Sequence, residues 1–301
     1  MYHYNANPGG SPEMWDSVWK DSDGIETAQV FFGVDPLQSL FEQYARAGSY
    51  MLEGGCGNGQ YVVHMADRGV NIVGLDFARD ALSRLRAYDS RLKLCEGDVA
   101  ALPFLDETFD LYYSGGVVEH FEAGAETALK EARRVLRPGG ALLISVPYYS
   151  PLRRLLSPFK MKLWKRVSRS EVDTADKNGG PQFFQYAYTR REFEVMLTAA
   201  GLRVVKAKGY SILWGLYDIS LLQRIMSARI GGNNNKPQST TAVEPTKQPA
   251  RRGVSNQAPS LLKRLFVGED DSIPVAGIAV RALRSTCANM MMYICVRSED
   301  K

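Results

Sequence analysis

Four glycines lie within six positions directly after a short apolar segment, in the stretch YMLEGGCGNG at 50–59. They leave a bend without side chains, where backbone N–H groups can come close to a ligand. A loop of this kind between a strand and a helix is typical of a nucleotide-like cofactor site. Counting the dinucleotide fingerprint G-x-G-x-x-G from Gly55, however, gives Gln60 in place of the third glycine. The spacing therefore weighs against an NAD-dependent oxidoreductase.

Two acidic residues stand at the ends of the first two apolar segments. Glu53 is next to the glycine loop, where a carboxylate would repel a pyrophosphate but would attract an ammonium group. Asp76 follows the apolar run NIVGL and comes 21 residues after Gly55. An acid at that place can accept hydrogen bonds from both hydroxyls of a ribose. The two residues together indicate half of a site for a nucleoside that carries an amino acid.

Four landmarks in this order resemble the class I S-adenosylmethionine-dependent methyltransferases. They are E-x-G-x-G-x-G at 53–59, the acid at Asp76, EGD at 96–98 and PGG at 138–140. The resemblance covers about residues 45–210 and a last strand near 290–297, and it implies S-adenosyl-L-methionine as the cofactor. It also implies an α/β fold with a doubly wound, Rossmann-like sheet of seven strands. Six of these strands are expected to be parallel and one antiparallel.

The resemblance implies a cofactor contact for ten residues. The residues around the glycine loop are expected to contact the methionine end of the cofactor. The pair that follows the second strand, Asp76 and Phe77, is expected to contact the ribose and the adenine ring. The pair that follows the third strand, Asp98 and Val99, is expected to contact the edge of the adenine. The ten residues are Glu53, Gly54, Gly55, Gly57, Gly59, Asp76, Phe77, Asp98, Val99 and Ser114. In the alternative interpretation, the glycines form a turn in a nucleotide-free protein and Asp98 only caps the turn that follows it.

Methyl transfer requires little chemistry from a protein, because the cofactor carries its own leaving group. The chain then mainly positions the acceptor and excludes water. If the acceptor is a hydroxyl, a base helps, and His120 after the predicted fourth strand is the candidate catalytic residue. Alternatively, Glu119 and His120 begin the next helix and hold the loop. The preceding SGGV at 114–117 lacks the Asp/Asn-Pro-Pro-aromatic motif of nucleic-acid amino-methyltransferases, which weighs against methylation of a base.

We expect acceptor specificity to depend on residues 148–188, a predicted lid. Apolar and basic residues alternate at 152–167, which favours either a packed lid with solvated charges or contact with an anionic membrane surface or acceptor. An RNA backbone is less favoured, because there is only one such patch. Aromatic residues around this segment are expected to wall an apolar acceptor pocket, namely Tyr148, Phe184 and Tyr186, with Phe183 and Tyr188 as further candidates. In the alternative interpretation, these aromatic residues belong to the core at the edge of the domain.

The remaining segments complete the predicted organisation. Residues 1–35 form an N-terminal arm, in which Trp15 and Trp19 either dock onto the core or belong to a lid over the cofactor. The cofactor-binding domain spans 36–210, and Thr189 with Glu192 predicts a capping box at the start of its last helix. An insertion at 211–286 contains a polar, low-complexity segment at 231–259 that we expect to be disordered. The final strand of the sheet lies within 287–301.

Composition limits the class of protein. The chain has 301 residues, a formal charge of +4 and 45% hydrophobic residues, which indicates a globular protein with a sizeable core. Its four cysteines include no C-x-x-C pair, so we expect free thiols in the cytoplasm and no metal site. No apolar run approaches the length of a spanning helix, and the first residues do not resemble a signal peptide.

The hypothesis from sequence is methyl transfer from S-adenosyl-L-methionine to an oxygen, nitrogen or carbon of a small, lipophilic metabolite. Two alternatives stay open. One is an RNA methyltransferase. The other is a non-catalytic protein that keeps the cofactor site and recruits a partner.

Overall fold

The computed structural model describes residues 2–5, 15–16, 19, 35–157, 183–217, 268–269, 272 and 276–298. The strands are β1 (Tyr2–Asn5), β2 (Tyr50–Gly54), β3 (Asn71–Asp76), β4 (Lys93–Glu96), β5 (Phe109–Gly115), β6 (Leu136–Pro147), β7 (Phe183–Ala187), β8 (Leu202–Tyr210) and β9 (Met290–Arg297). The helices are α1 (Gln38–Tyr44), α2 (Gln60–Asp67), α3 (Arg79–Tyr88), α4 (Glu126–Val135), α5 (Arg190–Ala199), α6 (Ile212–Tyr217) and α7 (Ala276–Cys287). A 3-10 turn covers Val118–His120.

Seven strands form one sheet in the order β4-β3-β2-β5-β6-β9-β8. The strands from β4 to β6 pair in parallel, whereas β9 runs antiparallel to both β6 and β8. Six strands therefore share one direction and β9 opposes them. This architecture confirms the predicted Rossmann-like sheet and its last strand at 290–297.

The sheet is covered on both faces because its central strands are apolar on both sides. Successive residues of β2 enter opposite cores: Leu52 packs with the α4 and α5 side chains, and Met51 with those of α1, α2 and α3. Because β2 to β6 run in parallel, the loops that follow these strands lie at one edge of the sheet, where open α/β proteins bind their ligands.

The start of α5 agrees with the local sequence signal that predicts it. The predicted capping box is confirmed, since the Thr189 hydroxyl accepts a hydrogen bond from the Glu192 N–H and the Glu192 carboxylate accepts one from the Thr189 N–H. After α4 the chain enters β6 directly at Leu136, so the PGG at 138–140 lies within this strand and not before it. Leu136 pairs with Phe109 across an irregular register, and the salt bridge of Arg137 with Asp110 holds this part of β6 against β5.

A second, two-stranded sheet was not predicted. β1 pairs antiparallel with β7, with Tyr2 opposite Ala187 and Tyr4 opposite Gln185. The N-terminal arm is thus joined to the end of the segment that the sequence identifies as a lid.

The described parts of the insertion pack against each other through a buried ion pair. The Glu269 carboxylate lies 3.5 Å from the Arg284 guanidinium and accepts a hydrogen bond from the Ile212 N–H at 2.6 Å. Predictions for 158–182 and 218–267, including the disordered segment at 231–259 and most of the basic stretch at 152–167, lie outside the described residues. None of the helices in the described ranges has the length and apolar character needed to cross a membrane. All four cysteines are free thiols.

Candidate cofactor and acceptor site

The glycine loop is held in a conformation that only glycine adopts easily. Gly55 has φ of 75°, and a Cβ built on it would lie 2.3 Å from the Val117 side chain in the loop after β5. Its N–H and that of Cys56 donate to the Leu75 carbonyl at 2.8 and 3.0 Å. The loop therefore packs directly against two neighbouring strand ends, and any side chain at Gly55 would separate them.

Asp76 ties the end of β3 to this loop. One carboxylate oxygen accepts a hydrogen bond from the Gly57 N–H at 2.7 Å, and the other accepts one from the Ala78 N–H at 2.8 Å. Burial raises the pKa of Asp76, and these backbone donors oppose the rise. Each carboxylate oxygen keeps a second lone pair, so the residue can still accept from the hydroxyls of a ribose.

Glu53 is the least satisfied acid beside the loop. Its side chain is 4% exposed, and its Oε2 atom has no hydrogen-bond partner in the part of the chain that the structure describes. Burial and the nearby charge of Asp76 raise the pKa of Glu53 well above its ordinary value, although the Val62 N–H opposes them. An unpaired buried carboxylate is costly unless a ligand supplies the partner. An ammonium group would do so, and the residues therefore fit a nucleoside that carries an amino acid.

The other expected cofactor residues line the same edge with different exposure. Phe77 is half-buried after β3, Val99 is buried, and Ser114 is buried near the end of β5. Asp98 is exposed, and one of its oxygens accepts from the Ala100 N–H at 2.8 Å. Asp98 thus caps its own turn, as the alternative interpretation expected, while it still faces the solvent beside the site. Within the described residues, no three His, Cys, Asp or Glu side chains form a group that could hold a metal.

The candidate base His120 and its neighbour Glu119 differ sharply in environment. The His120 ring is half-buried and packs edge-on against the Trp15 ring, with 4.8 Å between the two ring centroids. Glu119 is 2% exposed, and its Oε2 atom has no hydrogen-bond partner among the described residues. Burial raises the pKa of Glu119 to about 8. Sequence reasoning gave Glu119 only a structural role, although the apolar residues on both sides of the Glu119–His120 pair are a signal for burial.

Two of the three expected acceptor residues come together at the end of β6. Tyr148 is buried and forms a bridge with Tyr188, which joins the chain after β6 to the chain after β7. Tyr186 is also buried, and its hydroxyl donates to the Glu122 carbonyl at 2.8 Å. Phe184 belongs to β7, but its side chain lies outside the described structure. Tyr188, a further aromatic candidate from the sequence, is 1% exposed, and its hydroxyl has no hydrogen-bond partner among the described residues.

A surface cleft of about 510 Å³ opens beside these tyrosines. Its lining consists of Tyr148, Tyr149, Pro151, Arg154, Thr189, Arg190, Arg191 and Glu192. None of these residues belongs to the glycine loop, so the cleft is separate from the expected cofactor contacts.

The described part of the N-terminal arm touches the start of α3 and the glycine loop. One Asp16 oxygen accepts hydrogen bonds from the first N–H groups of α3, at Asp80 (3.0 Å) and Ala81 (3.3 Å). The Trp19 ring lies so close to Gly57 that a Cβ there would be 2.5 Å from it. The arm therefore lies against the loop, as a docked arm or a lid would.

Comparison with known proteins gives a consistent family. Residues 52–144 match the family model of a methyltransferase domain. Over 130 residues the chain is 37% identical to a protein of Mycolicibacterium smegmatis named a probable S-adenosylmethionine-dependent methyltransferase, a match that covers 42% of this chain and 50% of that protein. Over 100 residues it is 35% identical to malonyl-[acyl-carrier protein] O-methyltransferase of Erwinia billingiae, covering 33% and 39%. The chain thus matches half or less of the length of these relatives.

A solved structure agrees in fold. The methyltransferase of Haloferax volcanii that was solved in complex with a methyltransferase activator aligns with a TM-score of 0.53 at 16% identity, over 96% of both chains. At this identity the similarity concerns the fold alone.

Proposed function

Because this chain contains a class I S-adenosylmethionine-dependent methyltransferase domain, we propose that it transfers a methyl group from S-adenosyl-L-methionine to a small, lipophilic acceptor. When bound, this cofactor supplies an activated methyl group together with its own leaving group. The observation that carries the proposal is the buried, unpaired carboxylate oxygen of Glu53 beside the glycine loop.

Two acidic residues of the chain would bind different parts of the cofactor. Glu53 would accept hydrogen bonds from the ammonium group. Asp76 would accept hydrogen bonds from the ribose, and it already fixes the glycine loop through the Gly57 N–H. The close contact of Gly55 with Val117 brings the loop after β5 to the same place and helps to exclude water.

The buried tyrosines favour a small, lipophilic acceptor. Tyr148, Tyr186 and Tyr188 offer apolar ring surface at the carboxyl end of the sheet. An oxygen acceptor is compatible with the relative from Erwinia billingiae, which is named an O-methyltransferase.

Isothermal titration with S-adenosyl-L-methionine, S-adenosylhomocysteine and NAD tests the cofactor. We expect the first two to bind and NAD not to bind. Glu53→Gln should weaken both by at least about tenfold, since a charge-assisted hydrogen bond to the ammonium group is lost. Glu42→Gln, the same change on the exposed face of α1, is the matched control and should bind like the wild type. Binding of NAD, or an unchanged affinity in Glu53→Gln, would contradict the site.

Transfer of labelled methyl groups into a cell extract tests the acceptor class. We expect the label in the fraction that organic solvent extracts. A label that nuclease treatment removes would overturn the small-acceptor proposal in favour of RNA, and a label that protease releases would overturn it in favour of a protein.

A further inference from the structure

We infer that the Glu119 carboxyl and the Tyr188 hydroxyl form the polar end of the acceptor pocket, where they bind the O–H or N–H group that becomes methylated and Glu119 takes its proton. The inference deepens the proposed function and rests on it. It assigns a role to two buried polar groups that have no hydrogen-bond partner among the described residues.

Both residues carry an unpaired polar atom in the protein interior. Glu119 Oε2 and the Tyr188 hydroxyl have no hydrogen-bond partner among the described residues, although the side chains are only 2% and 1% exposed. Each such atom costs about 1–3 kcal/mol in a protein that does not use it. Groups of this kind are rare in folded proteins and call for a ligand or another explanation.

The two unpaired groups come from different elements that pack against each other. Glu119 belongs to the 3-10 turn after β5, whereas Tyr188 lies between β7 and α5. β7, which leads directly into Tyr188, packs against the 3-10 turn that carries Glu119. A single small polar group between them could satisfy both.

The position of this pair fits the acceptor better than the cofactor. Val117, two residues before Glu119, contacts Gly55 of the glycine loop, so the turn lies directly beside the expected cofactor contacts. On its other side, Tyr188 bridges to Tyr148 at the end of β6. Tyr188 also lines a cleft of about 390 Å³ beside α5.

The surroundings of Glu119 suit proton transfer near neutral pH. Its buried carboxyl has a pKa of about 8, and burial is the main cause. The charge of Glu119 raises the pKa of two neighbouring phenols, those of Tyr188 and of Tyr210 on β8. A base works best when its pKa is close to the working pH.

The proposed step balances in atoms and electrons. The acceptor proton moves to the Glu119 carboxylate, and the acceptor lone pair forms the bond to the methyl carbon. The bond from that carbon to sulfur breaks, and its electron pair stays on sulfur. The Tyr188 hydroxyl hydrogen-bonds to the acceptor and keeps its own proton.

The test compares Glu119→Gln and Tyr188→Phe with two matched controls. Glu126→Gln makes the same change at an exposed position of α4, and Tyr293→Phe removes another buried hydroxyl, one that lies 3.5 Å from the Arg190 carbonyl. For each protein we would measure the affinity for S-adenosyl-L-methionine, the melting temperature, and the rate of labelled methyl transfer into the small-molecule fraction of a cell extract from pH 6 to 9.

We expect both test variants to bind the cofactor within about threefold of the wild type and to melt at or above its temperature, because each loses an unsatisfied group. Transfer should fall about 100-fold or more in Glu119→Gln and about tenfold in Tyr188→Phe. In the wild type it should rise with pH up to about 8, and this dependence should be absent in Glu119→Gln.

Lower melting temperatures in both test variants would assign them a structural role and overturn the inference, even before an acceptor is known. Wild-type transfer rates in Glu119→Gln would overturn it as well, while the proposed function would stand. Failure of the wild type to bind S-adenosyl-L-methionine would instead overturn the proposed function, so the two failures are distinguishable.

Discussion

Glu119→Gln should change how the stability of the protein depends on pH. A buried carboxyl with a raised pKa holds its proton more tightly in the folded chain than in the unfolded chain. The folded state therefore binds more protons between the two pKa values, and the free energy of unfolding falls as the pH rises through that window. Glutamine cannot ionise, so the variant lacks this contribution.

The size of the effect follows from the burial of Glu119. Its pKa rises from 4.5 to about 8 in the folded protein. At about 1.4 kcal/mol per pH unit, the wild type should lose about 5 kcal/mol relative to the variant between about pH 4.5 and 8. Above pH 8 the difference should become constant, because the side chain is then ionised in both states.

Urea unfolding at half-unit steps from pH 4.5 to 9 measures this difference directly. Other buried acids, among them Glu53 and Asp76, also have raised pKa values, but they are present in both proteins and cancel in the comparison. The exposed Glu126→Gln change should leave the wild-type curve unaltered. Parallel stability curves for wild type and Glu119→Gln would refute the reasoning, because Glu119 would then titrate as in the unfolded chain.

Two further predictions concern the glycine loop and the arm that touches it. Gly55→Ala should lower the free energy of unfolding by more than Gly48→Ala in urea unfolding. Both positions have positive φ, which costs an alanine about 1 kcal/mol, but only the Cβ at Gly55 would collide with Val117, since Gly48 has open space around it. Equal losses would contradict the close packing of the loop. Asp16→Ala should cost about 1 kcal/mol, because two N–H groups of α3 lose their acceptor, and limited proteolysis should then cleave the N-terminal arm faster. An unchanged cleavage rate would show that Asp16 does not hold the arm.

Features that depend on neighbouring residues in the sequence were predictable. The capping box at Thr189 and Glu192 needs only a spacing of three, and α5 begins where that spacing predicts. The parallel strands are apolar runs that end at glycines or acids, so the positions of Glu53 and Asp76 in the chain were enough to place them at the carboxyl edge of the sheet. The family resemblance added the antiparallel last strand, which no local pattern reveals.

Features that depend on distant contacts were not predictable. The pairing of β1 with β7 joins residues that are 178 to 185 positions apart, and each segment is too short to indicate its partner. The 3-10 turn that carries Glu119 likewise packs against β7, which follows it by more than 60 positions. From the sequence we therefore selected His120 as the candidate base, whereas in the folded protein the neighbouring Glu119 is the buried residue.

The place of β9 in the sheet affects how the protein folds while it is synthesised on the ribosome. β9 fills the gap between β6 and β8, yet Met290 follows its partner Pro147 by 143 positions. Until that late segment has been synthesised, β6 and β8 each present a row of unpaired N–H and C=O groups. Exposed strand edges of this kind invite pairing with other chains. We therefore expect nascent chains that lack β9 to depend on chaperones, and release from them to follow soon after β9 emerges.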